Sequence, residues 1–103
     1  MLGLKMWNSF RSREVPQPQG LLSVLLDESA PPGDRHDAAM GLGKFDDSEV
    51  EDALSKVVVN STEDESIVDA AGESLWEIWG RKNKRDDDLI SRMHPEARKF
   101  WMP

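Results

Sequence analysis

Shifted by 33 positions against itself, the chain superposes two separate apolar patterns. Ala38 falls on Ala71, Leu42 on Leu75 and Phe45 on Ile78, and the same shift carries Leu21 to Leu54, Val24 to Val57 and Leu25 to Val58. One offset serving two stretches predicts an internal repeat, and a unit of this length with helical spacing is a pair of helices. Stacked units of that kind make a scaffold for binding.

Taken in order, the chain supplies start and stop signals for such a stack. Residues 1–14 carry a weak stripe of Leu2, Met6, Trp7 and Phe10, with Lys5, Arg11 and Arg13 off it. A short helix docking on the first unit as a cap fits this pattern, and so does a helix lying on a membrane surface. Pro16, Pro18 and Gly20 then break any helix. We therefore divide the chain into a cap segment or arm, residues 1–19, and a repeat domain, residues 20–103.

Leu21, Leu22, Val24, Leu25 and Leu26 form a run short enough for strand or helix, and the match to the longer second unit decides for helix. Pro31 and Pro32 end it. Asp34 is placed to cap the next helix, whose Ala38, Leu42 and Phe45 face inward. Gly41 and Gly43 each weaken that helix by about 1 kcal/mol relative to Ala, which suits a close approach or the end of a turn. Ser48 with Glu51 reads as a capping box ahead of Val50, Ala53, Leu54, Val57 and Val58. Thr62 with Glu65 reads as a second one, opening the longest helix, from Glu63 to about Lys82. Its inward stripe is Ile67, Val68, Ala71, Leu75, Ile78 and Trp79, with Gly72 where the first unit has Ala39. Asp86, Asp87 and Asp88 start a fifth helix with Leu89, Ile90 and Met93, His94 stops it, and Pro95 opens a sixth with Ala97, Phe100 and Trp101. This last unit is truncated and out of phase, since Leu54 reaches Leu89 only with a shift of 35. The expected fold is all-α, a right-handed α-α superhelix of two full helix pairs plus a truncated third unit.

Composition narrows the function classes. The chain has no cysteine, which excludes a disulfide framework and a thiolate metal site and fits a reducing, cytoplasmic setting. No apolar run approaches the roughly 20 residues of a membrane helix, and the N-terminal stretch does not read as a signal peptide. Between residues 27 and 77 lie fifteen acids and three bases, a local charge of -12 within a net charge of -7. That stretch repels phosphate backbones and makes nucleic acid a poor partner. It either solvates a small protein or selects a protein partner with a basic surface.

The combination of Asp34, Arg35, Ala38, Ala39, Leu42, Gly43 and Phe45 with Ala70, Ala71, Leu75 and Ile78 resembles the HEAT-like helical repeats. Within that group it looks most like the short bacterial type shared with phycobilin lyase domains. The resemblance covers roughly residues 20–80. The second unit departs from the pattern with Ser66, Ile67 and Val68 in place of Gly33, Asp34 and Arg35, and with Trp76 in place of Gly43. The family resemblance implies an α-α solenoid that serves as a protein-binding scaffold or regulator, and it does not imply lyase activity here.

No catalytic constellation stands out. His36 and His94 are the only histidines; His36 is followed by Asp37, which a helix turns to another face, and His94 reads as a turn or cap residue. Asp86, Asp87 and Asp88 lack the alternating spacing of a calcium loop and read as a helix cap, while Asp46, Asp47, Glu49 and Asp52 read as a solvated turn. No nucleophile elbow or phosphate-binding glycine loop is present, so no catalytic, cofactor or metal residue is assigned. The informative positions are those the repeat turns outward on the second helix of each unit. They are His36, Met40 and Lys44, then Asp69, Glu73, Trp76 and Glu77. Trp76 beside acids suits a hot-spot anchor for a basic partner, or else packs as ordinary core against the third unit. The leading expectation is a non-enzymatic protein-interaction module, for instance a small inhibitor or immunity-type protein covering a nuclease's cationic cleft. The alternatives are a lyase-like or isomerase-like protein acting on a pigment or other small molecule, which requires an enclosed apolar pocket, and a structural homodimer built on the edges around Trp7 and Trp101.

Overall fold

A computed structural model describes residues 16–102; the amphipathic segment with Trp7 lies outside them. Among the described residues there are six helices and no strand. They are α1 (Gln19–Leu26), α2 (Pro32–Gly41), α3 (Ser48–Val58), α4 (Glu65–Lys82), α5 (Asp87–Arg92) and α6 (Pro95–Arg98), and a 3-10 turn, Leu42–Lys44, extends α2. The fold is all-α. α1 pairs with α2 and α3 with α4; α2 then lies along α4, α1 touches α3 lightly, and α6 sits on α4.

The apolar periodicity places the helices well, but the starts of α2, α3 and α4 follow other rules than the expected caps. α2 begins on Pro31–Pro32 with no side-chain cap, because proline at the first helical position is already held at a helical φ. Asp34 lies within the first turn of α2, where its charge still favours the positive end of the helix. Neither expected capping box forms. Ser48 is the first residue of α3, preceded by Asp47, which makes no side-chain cap bond, and Glu51 is turned into the interior. α4 is capped by Asp64, whose Oδ1 accepts from the amides of Ser66 at 2.8 Å and Ile67 at 3.3 Å. Thr62 instead donates to Asn60 Oδ1 in the turn that closes α3. Asp86 caps α5, and His94 caps α6 by accepting from the Glu96 amide through Nδ1 at 3.0 Å. α4 ends at Asn83 in the left-handed region, φ 53°, which lets the Lys84 amide reach back to the Trp79 carbonyl at 2.9 Å.

The core follows the predicted stripes. Ile67, Val68, Ala71, Leu75, Ile78 and Trp79 of α4 are buried, as are Val50, Ala53, Leu54, Val57 and Val58 of α3. Each large aliphatic side chain among them contributes about 1.5–3 kcal/mol by leaving water. α4 also buries Ala70, Gly72 and Ser74, because α2, α3 and α6 cover it from different sides. Small residues make those approaches possible. Ala38 and Ala39 of α2 are buried, and Ser74 Oγ donates to the Ala39 carbonyl at 2.6 Å. The truncated unit closes the far side with Leu89, Ile90, Met93 and Ala97, and Trp101 tilts against Trp79 with ring centroids 5.4 Å apart.

Gly72 lies directly under α6. A methyl group there would come within 2.8 Å of Ala97 Cα, whereas one at Gly80 would meet nothing within 4 Å. Gly72→Ala should therefore cost about 1–3 kcal/mol by overpacking against backbone. Gly80→Ala should gain up to about 1 kcal/mol from helix propensity alone. Urea unfolding of the two variants measures both, and equal effects of one sign would contradict this account of α4.

Candidate partner-binding face

The acidic middle divides into carboxylates that the fold uses and carboxylates that it leaves available. Glu63 is held bidentately by Arg35, with nitrogen–oxygen distances of 3.0 and 2.7 Å, and Arg35 Nε donates to the Leu25 carbonyl at 2.9 Å. One buried guanidinium thus fastens the C-terminal end of α1, the body of α2 and the turn before α4. Glu51 accepts from Trp79 Nε1 at 3.0 Å, from Lys84 Nζ at 2.8 Å and from Lys82 Nζ, which ties α3 to the end of α4. Asp46 pairs with Arg81 at 2.7 Å and Asp69 with Lys99 at 2.7 Å. The Asp87 and Asp88 carboxylates pair with Arg85 and Arg92, so the acidic triplet is taken up by a helix start. Among the described residues, Glu28, Asp34, Asp47, Asp52, Glu65, Glu73 and Glu77 make no ion pair within 4 Å.

Four of the seven outward positions share one shallow groove between α2 and α4. Met40, Lys44, Glu73 and Glu77 line it together with Gly41, Gly43 and Arg81. Gly43 forms part of its wall because a side chain there would strike Glu77 Oε1 at 2.6 Å and Ser74 Cα at 3.2 Å. Arg81 reaches across one end, donating through Nη2 to the Gly43 carbonyl at 2.7 Å. Met40 is 44% exposed and Trp76 48% exposed. Trp76 is neither core nor free-standing. Its ring leans on Phe100 of the last unit, centroids 6.4 Å apart, and the remainder meets solvent. His36 lies one turn before Met40, outside the groove lining, with Nδ1 3.5 Å from Asp37. Asp69 also lies outside it and is neutralised by Lys99. Arg81 is the groove residue that sequence reading missed. The signal was present, since Glu73, Glu77 and Arg81 recur at intervals of four along one helical face.

The two internal carboxylates respond to pH in a definite direction. Burial pushes the Glu51 carboxyl up, but the Lys82, Lys84 and Trp79 donors outweigh it and hold its pKa below the ordinary 4.5. For Glu63 the Arg35 hydrogen bonds dominate, burial opposes them, and the pKa again falls below 4.5. Both groups bind protons more weakly folded than unfolded. Their contribution to stability is therefore complete above pH 4.5 and is lost as pH falls through the lower folded values. The denaturation midpoint should stay nearly level from about pH 7 to 5 and drop below about 4.5. Glu51→Gln should cost about 1–3 kcal/mol at neutral pH and make the acid decline shallower. An unchanged decline in urea titrations across that range would remove Glu51 from this role.

Compared with known proteins, the chain matches no family model, no curated protein and no solved structure. Among the described residues, no helix is long and apolar enough to cross a membrane.

Proposed function

We propose that the chain is a non-enzymatic protein-interaction module, built as a HEAT-like stack, whose α2/α4 face engages a protein with a basic surface. The observation that carries this reading is the exposure of Trp76 beside Glu73, one helical turn before it, and Glu77. Both carboxylates lack an ion-pair partner among the described residues and line the α2/α4 groove with the exposed Met40, while Trp76 stands just outside that lining, against Phe100. A rigid aromatic anchor beside unneutralised carboxylates suits a cationic surface. The tryptophan supplies desolvated contact area, while the charges speed encounter and reject acidic partners. A small cytoplasmic inhibitor or immunity-type protein that covers a cationic cleft is the form this face fits best.

The test is capture of partners by the full chain at low and high salt, followed by affinity measurement with the partner identified. A basic partner should be retained at low salt and weakened at high salt. Trp76→Ala should lower affinity by about 2 kcal/mol, near thirtyfold. Glu73→Lys should act mainly on the association rate at low salt, and both variants should keep the wild-type helical circular dichroism. An acidic partner, salt-insensitive capture, or unchanged binding by both variants would sink the assignment of this face.

A further inference from the structure

A second surface, remote in role from the α2/α4 face, is incomplete as it stands. α1 and α3 touch only lightly, and the gap between them is an open groove. Leu22 and Ala53 line it and are nearly buried, whereas Leu26 beside them is 53% exposed. Its rim carries Glu49 and Asp52 against the single base Lys56. Leu26 belongs to the apolar run that builds the first unit, so its exposure leaves the α1 end of the core uncovered.

We propose that this groove is the seat of the chain's own N-terminal segment, residues 1–10. Three observations converge on that occupant. The segment has its own apolar stripe, Leu2, Met6, Trp7 and Phe10, at helical spacing and matched to an apolar floor. Its charge is opposite to that of the groove: Lys5, Arg11 and Arg13 against Glu14 in the segment and its link, and Glu49 and Asp52 against Lys56 on the rim. The chain also enters α1 at the groove itself. Gln19, its first helical residue, is part of the lining and its side-chain amide lies 3.4 Å from Glu49 Oε1. The lining runs from Gln19 to Leu26 along α1, about 10 Å of helix. Residues 11–15 can span up to about 17 Å, enough to turn the segment back along that length. Seated there, the stripe covers Leu26 and gives the stack a polar outer end, which a helical repeat needs to remain soluble.

The absence of cysteine makes the test direct. The full chain with Asn8→Cys is spin-labelled, and amide line broadening is read by NMR at low protein concentration. Broadening should concentrate at Ser23, Leu26, Ala53 and Lys56, with Glu73 and Trp76 unaffected. It should diminish severalfold on Lys5→Glu with Arg13→Glu, and on Leu26→Glu, a position exposed enough to accept the charge without loss of the core. Absence of broadening at the groove overturns the proposal. Broadening that appears only between labelled and isotope-enriched molecules in a mixed sample also overturns it, since the occupant is then a second copy. The α2/α4 binding assay with Trp76→Ala is independent of every one of these results.

Discussion

The contact between α2 and α4 is the constraint on which the rest of the structure depends. The facing helices are rich in small buried residues, Ala38 and Ala39 in α2 and Ala70, Ala71 and Ser74 in α4, which lets two helix backbones approach. At that distance a buried carbonyl and a buried hydroxyl find each other, and Ser74 Oγ satisfies Ala39 at 2.6 Å. The larger residues Leu42, Leu54, Leu75 and Ile78 are fully buried in the same core. Because α2 and α4 are fixed, α1 and α3 follow as their partners, and the gap between α1 and α3 is what remains.

An acidic chain must also keep its carboxylates from opposing this packing. It does so by placing the few available bases where one cation restrains several elements. Arg35 closes on Glu63 and on the Leu25 carbonyl at the negative end of α1, and Arg81 closes on Asp46 and the Gly43 carbonyl at the other end of the α2/α4 contact. Glu51 inverts the arrangement, one buried carboxylate gathering Trp79, Lys82 and Lys84. The energy of such pairs lies mainly in the cost of breaking them, because a single partner left behind is an unpaired charge in a poorly solvated place. They fix the stacking of the units more than they deepen the stability of either one.

These pairings mark the boundary of what the sequence could reveal. Helix stripes were legible because burial follows the helical period, and the stripes read for α3 and α4 are buried in full. Caps were legible in part: Asp86 and His94 cap α5 and α6 as read, but at α4 the acidic turn offers several equivalent candidates, Thr62, Asp64 and Glu65, and the chain uses Asp64. Glu51 fits a capping box locally, yet its partners stand 28 to 33 residues further on, and no local rule weighs them. On the candidate face, Met40, Lys44, Glu73 and Glu77 were grouped by the repeat alone. Asp69 was read as available because its partner, Lys99, lies in the unit that breaks the repeat phase.

The last helices also account for the half-exposure of Trp76. The 33-residue offset sets Trp76 against Gly43, where an added Cβ would come within 2.6 Å of Glu77 Oε1 and 3.2 Å of Ser74 Cα, so its neighbours would have to give way. Position 76 meets no such close cover, and its indole is half exposed. The last unit instead offers α6, a helix of four residues, and Phe100 just beyond it. Ala97 reaches Gly72 closely, but the cover thins toward position 76, and Phe100 touches only one side of the indole. This end of the fold therefore does two things. It closes the core over Gly72, Leu75 and Trp79, and it leaves a large aromatic surface open beside Glu73 and Glu77. The packing of this end and the exposure of Trp76 are thus set by the same few residues, Ala97 and Phe100 among them.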